Sequence, residues 1–180
     1  MKVKHYLTII AGILVLITLL IPASTNWAKT QTIDADLSRP EVIKLIAVAT
    51  EMGLNFRGVN LSGINLEGLD LSNANLSSST LIGANLQNVL FINARAFNTN
   101  FSEANLSRTS FEGARLDWAD LSNVSLENAL LLNASLRNAD LTGANLKGAN
   151  LIGVTLEGAI MPNGEFYEDG MDLMQFVSPE

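Results

Sequence analysis

Few residues in this 180-residue chain are of types that carry chemistry. There is no Cys, so thiolate nucleophiles, thiolate metal sites and disulfides are excluded. The one His, His5, lies at the N-terminus, so no imidazole is available to the rest of the chain as base or ligand. Glu168-Asp169-Gly170-Met171-Asp172 has a calcium loop's composition without its ligand spacing, and reads as a solvated acidic tail. Asp117 and Asp120 are close in sequence, but paired carboxylates need a pocket to act as acid and base. Asn60-Leu61-Ser62 and Asn105-Leu106-Ser107 match a glycosylation acceptor, a pattern the surrounding repeat produces by itself. No phosphate-binding Gly loop or nucleophile elbow is present. The expectation is no catalytic residue, no cofactor and no metal: not an enzyme.

Charge narrows the partner class. The net charge is −7, and residues 1–28 hold Lys2 and Lys4 with no acid, so the remainder carries −9. An acidic body disfavours nucleic acid held through phosphates. Residues 1–28 have a short cationic start, the apolar run Leu7–Ile21, Pro22 and small residues, the layout of a secretory signal. Ala28 and Ala23 are the candidate cleavage positions. The expectation is export. A retained single-pass anchor is the alternative, and the only expected membrane contact is through this segment.

Residues 29–53 read as a linker and a capping helix. Ser38-Arg39-Pro40-Glu41 has capping-box spacing. Val42, Ile43, Leu45, Ile46, Val48, Ala49 and Met52 then recur at helical spacing, giving a broad apolar face before Gly53 stops the helix.

From Phe56 to Leu156 an apolar residue returns every five positions. The 21 sites hold 16 Leu, 4 Phe and one Ala, Ala96. Two residues earlier stands a small residue, Ala at 11 of the 21, with Asn or Asp most often between, as in Ala144-Asn145-Leu146-Lys147-Gly148. The small residue and the Leu share one side of an extended chain, and the polar pair after them suits a corner. Repeating that step gives a narrow tube with every Leu inward. The larger Leu54, Val59, Ile64 and Leu69 at the small sites of the first coil would meet the capping helix. Residues 159–180 form a tail, whose apolar residues suit either a lid or a partly ordered end.

The motif A-(D/N)-L-x-x over about 54–158 resembles the pentapeptide-repeat family, and the arrangement with a signal segment resembles its exported, thylakoid-lumen-type cyanobacterial members. The resemblance implies a right-handed quadrilateral β-helix, an all-β solenoid of five coils and one extra pentad, and a thylakoid lumen or a periplasm as the destination of export. With four pentads per coil, positions twenty apart would stack. One face would then carry Arg95, Arg115 and Arg137 with Phe97, Asp117, Trp118 and Glu157. Those residues read first as local charge pairing with an aromatic pair covering the Ala96 coil, and second as a binding spot. Another face would carry outward Leu90, Ile92, Leu130, Leu132 and Ile152, interrupted by Ser110 and Glu112. The functional expectation is a scaffold binding another, unidentified protein, with a weak homodimer as a further possibility. The alternative resembles the family's acidic, DNA-mimicking gyrase-protecting members, which the signal segment disfavours.

Overall fold

The structure, a computed structural model, describes residues 6–10, 13–17, 35–49 and 54–178. The chain divides into two compact units, Met1–Ile33 and Asp34–Glu180. In the first, β1 (Tyr6–Ile10) pairs antiparallel with β2 (Ile13–Ile17), Tyr6 opposite Ile17. The candidate cleavage positions Ala23 and Ala28 lie outside the described residues. Among the described residues no helix is long and apolar enough to cross a membrane.

The second unit is built on the five-residue repeat. Parallel bridges join residues twenty apart, from Asn55 with Asn75 to Asp140 with Ile160, so four pentads make one coil and each pentad forms one side. Each side donates upward twice and receives once: Phe56 N–H to Asn75 O at 2.7 Å, Gly58 N–H to Ser77 O at 3.1 Å, and Asn75 N–H to Leu54 O at 2.8 Å. Most corners close by a three-residue bond such as Val59 N–H to Phe56 O, 3.1 Å. The residue two after the central Leu turns left-handed there, which selects Gly or Asn: Gly58 has φ 69° and Asn73 φ 61°.

Asn and Asp before the central Leu have a local task. Their Oδ1 accepts the N–H two residues on, as in Asn75 to Ser77 at 3.1 Å and Asp120 to Ser122 at 3.0 Å. That N–H points out of the ladder, so the side chain satisfies it. Ser72 bonds Asp70 through its side chain and its N–H, and these hold the Asp70 carboxyl below the ordinary carboxylate range.

The four sides take their names from their first central residues: Phe56, Leu61, Leu66 and Leu71. Central side chains fill the tube and are buried, with Leu151 alone among them only partly so. Where Ser or Thr replaces the small Ala, the hydroxyl bonds a carbonyl: Ser79 and Thr99 to Leu76 O, Thr109 to Leu106 O. Ala96 is compensated by rings. Phe91 and Phe101 flank it in the same coil, and their ring centroids stand 6.2 Å apart, edge to face. Phe111 stacks on Phe91 at 5.0 Å.

Helix α1 (Arg39–Val48) precedes the tube. Glu41 accepts from the N–H and hydroxyl of Ser38 at 2.7 and 2.6 Å, bonds that hold its carboxyl below the usual range. The apolar face is narrower than the sequence suggests. Val42 is buried and Leu45 and Ile46 partly so, whereas Ile43 and Val48 are exposed. At about 100° per residue, Val42, Leu45 and Ile46 share a face that Ile43 leaves. The helix also ends earlier: Ala49 is extended, between the β-branched, weakly helical Val48 and Thr50. Arg39 donates to Asn65 O and Glu67 O, both at 3.0 Å. Asp36 exchanges two bonds with the Asn60 backbone.

At the other end the tail folds back. Ile160 bridges Phe166 antiparallel, Tyr167 N–H reaches Ala159 O at 2.8 Å, and Gly148 N–H reaches Val177 O at 2.8 Å. Tyr167, Met171, Leu173 and Phe176 pack on the core around the short α2 (Met174–Val177).

Two outcomes follow from this packing. Ala96→Leu should destabilise the fold by about 1–3 kcal/mol, because the rings already occupy the space a Leu would need. A thermal melt shifted upward would mean the space is empty. The second concerns stacked corners. A Cβ on Gly143 would stand 2.6 Å from Asn123 Oδ1, while one on Gly63 meets nothing within 4 Å. Both glycines are left-handed, so each change to Ala carries about 1–2 kcal/mol of backbone strain. Gly143→Ala should cost measurably more than Gly63→Ala in denaturant titrations. Adding Asn123→Gly should recover the excess.

Candidate protein-binding surface

Both sequence-derived residue groups fall on outer faces of the tube, and the structure does not bring them together. The apolar group lies on the Leu71 face. Leu90, Ser110 and Leu130 are consecutive partners in one column of bridges. Ile92, Glu112, Leu132 and Ile152 form the next column, joined through bonds such as Asn93 N–H to Glu112 O. Leu90, Leu130 and Ile152 are exposed, Ile152 to 70%, while Ile92 and Leu132 are partly buried. Ser110, buried, and Glu112, exposed, separate Leu90 and Ile92 from the other three.

The second group lies on the Phe56 face. Arg95 and Arg115 are bridge partners, and Phe97, Asp117, Arg137 and Glu157 follow one another up the adjacent column. Twenty-residue spacing adds Arg57 to that column, a member sequence reading passed over. The charge pairing expected here is present: Arg115 Nε lies 3.6 Å from Asp117 Oδ2 and Arg137 Nε 3.4 Å from Glu157 Oε2. Ser135 also donates its hydroxyl to Asp117 Oδ1, a bond the repeat pattern did not signal.

The aromatic pair behaves differently. Phe97 and Trp118 occupy neighbouring coils, yet among the described residues they make no ring contact with each other. They stay 46% and 57% exposed, so they do not seal the Ala96 coil. Trp118 also stands at a left-handed corner, φ 62°, in a column whose neighbours are Asn98 and Asn138. A bulky aromatic is an outlier in that conformation.

These groups coincide with local breaks in the repeat. Leu90, Arg95, Arg115 and Leu130 all stand where other pentads place the Asn or Asp that accepts the turn N–H. Side-chain support of the corner is given up there, and large outward side chains replace it.

Family comparisons agree with this geometry. A pentapeptide-repeat model of eight copies matches residues 55–91, and a pentapeptide-repeat-region model matches residues 84–161. The chain belongs to the pentapeptide-repeat family. Its coil is therefore the right-handed β-helix of that family. Among solved structures it is similar to HetL, a pentapeptide repeat protein involved in heterocyst differentiation regulation from the cyanobacterium Nostoc. Identity is 35% and the TM-score 0.61, over 63% of this chain and 53% of HetL. The chain thus spans about half of HetL's length. It is also similar to a pentapeptide repeat protein of the Arabidopsis thaliana thylakoid lumen. Identity there is 31% and the TM-score 0.55, over 56% of this chain and 70% of that one. No curated protein matches the chain.

Trp118→Asn tests whether the fold needs the Trp. Asn enters the left-handed region readily, so the substitution should stabilise the protein by about 1 kcal/mol. A lower melting temperature would mean that Trp118 packs on the tube.

Proposed function

We propose that this protein is a non-enzymatic, exported scaffold that binds another protein through the outer faces of its β-helix. One observation carries the reading. The tube is filled by its own Leu, Phe and Ala, so what it offers outside is exposed apolar and arginine side chains on a stiff ladder. Sites on rigid elements hold their geometry better than sites on loops. The involvement of HetL in differentiation regulation fits an interaction role, and the lumenal Arabidopsis protein fits export.

In this reading residues 1–28 are the signal segment and 29–53 the linker with its capping helix. Residues 54–158 form five coils and one extra pentad, and 159–180 the tail. Arg39 supports the cap: its two nitrogens donate to carbonyls two residues apart, as the amides of a preceding coil would. The apolar residues of the Leu71 face cover about a few hundred Å², short of the roughly 1,000 Å² that a stable interface buries. That patch suits the centre of a larger contact, or a weak homodimer. The acidic gyrase-binding alternative draws on the Leu61 face, where Glu103, Asp120 and Asp140 stand without a base. Export would keep the protein away from gyrase.

The test combines intact mass with capture from the host's extracytoplasmic fraction. The mature chain should begin after Ala28 or Ala23, and the wild type should retain a protein that the folded Leu90→Glu/Leu132→Glu variant loses. Retention unchanged by that pair removes the Leu71 face as the site. A cytoplasmic protein that still begins at Met1 returns the gyrase-type reading to first place.

A further inference from the structure

Charge is distributed unevenly around the tube. The Phe56 face carries Arg57, Arg95, Arg115 and Arg137 against Asp117 and Glu157, a formal +2. The neighbouring Leu61 face holds Glu103, Asp120 and Asp140, −3, and the neighbouring Leu71 face holds Asp70 and Glu112, −2. On the opposite Leu66 face Glu67 and Glu127 balance Arg108 and Lys147. One side of an acidic protein is therefore positive, and it carries the exposed Phe97 and Trp118, while the exposed Phe166 belongs to the tail.

The disposition of the charges reinforces this. The Asp117 side chain is only 11% exposed and is held by Arg115 and Ser135, so its charge is drawn beneath the surface. The Arg115 and Arg137 side chains stay 68% and 55% exposed. Trp118 meanwhile occupies a left-handed corner that its column otherwise gives to Asn, Ser and Gly. The backbone there is the regular corner of the tube, shared by Glu103 and Arg108 on other faces, so what is unusual is the bulk of the side chain placed in it.

We propose that the Phe56 face docks an acidic, aromatic-bearing segment of a partner protein. This rests on the scaffold reading and deepens it by naming the partner's chemistry. Guanidinium groups match carboxylates in a bidentate fork, and Arg and Trp are the side chains that dominate binding energy at interfaces. A polynucleotide fits less well. Its phosphates, one per about 1.7 Å of duplex axis, would run onto the acidic flanking faces, while a short acidic segment stays between them.

The experiment uses the full chain and a fluorescent synthetic peptide rich in Glu and Phe. The controls are the same peptide with Gln for every Glu, and a single-stranded oligonucleotide. The Glu peptide should bind the wild type and weaken as salt is raised. Arg95→Gln/Arg137→Gln and, separately, Trp118→Asn should each weaken it about tenfold, a free-energy loss near 1.4 kcal/mol. Both variants are checked by thermal melt. Trp118→Asn places in the column the residue it already holds at 98 and 138, so its lost binding cannot be laid to misfolding. Leu90→Glu/Leu132→Glu should bind the peptide as the wild type does. Equal affinity for the Glu and Gln peptides, no loss in the Arg pair, or tighter binding of the oligonucleotide would overturn the proposal. So would wild-type self-association in sedimentation that the Arg pair abolishes, since the occupant would then be a second copy. The scaffold reading is separable: a native partner captured equally by wild type and both Phe56-face variants but lost by Leu90→Glu/Leu132→Glu sinks this inference and leaves that reading standing.

Discussion

The structure depends on one constraint, that each corner of the coil place a residue in the left-handed region. Only then does the carbonyl of the central residue meet the amide three positions on, and only then does the next pentad start a new side at the right height. The corner is what turns a five-residue period into a four-sided coil with a twenty-residue ladder. Glycine meets the demand without strain, and Asn meets it with little. Stacked corners then restrict one another. Where Asn stands one coil below, as at 123, its amide oxygen occupies the space a Cβ would take at 143, which favours Gly there. The preference can be overridden: Asn93, Arg108 and Trp118 each stand one coil above an Asn.

Much of this was legible because the repeat is strict. The inward Leu, the small residue two before it and the polar corner each follow from side-chain direction and turn chemistry. What was less legible lies where the period stops. Ile43 and Val48 looked like part of a broad apolar face, but a ten-residue helix lying on the tube buries only a narrow stripe. The Arg39 fork depends on a chance match between guanidinium spacing and two carbonyls of the first coil, which no sequence period encodes. The Ser135–Asp117 bond spans eighteen residues and uses two positions that vary freely in the repeat. Arg57, by contrast, was within reach, since its spacing of forty from Phe97 puts it in the same column.

The ends and the faces obey different rules. An end exposes ladder groups and core side chains together, so it must be covered by something that supplies both. At the first coil, Asp36 and Arg39 supply polar partners and Val42 the apolar cover. At the last coil, Tyr167 and Val177 do both through backbone bonds and packing. The tail leaves Leu151 only partly buried, on the same face as Ile152.

A face has no such obligation, because its backbone is already paired above and below. Its outward side chains can change without disturbing the tube, at the modest cost of a lost corner bond where Asn or Asp is replaced. That freedom explains why replacements at Leu90, Leu130, Arg95 and Arg115 can gather on two of the four sides while the interior stays regular. It also sets the standard for reading such a surface. A lone exposed Leu or Arg on a solenoid carries little meaning. The Phe56 face departs from the others in net charge and in the exposed Phe97 and Trp118 it carries, the latter a bulky side chain at a corner that Gly or Asn fills more easily. The packing of the tube requires neither property, and the proposed contact is an account of both.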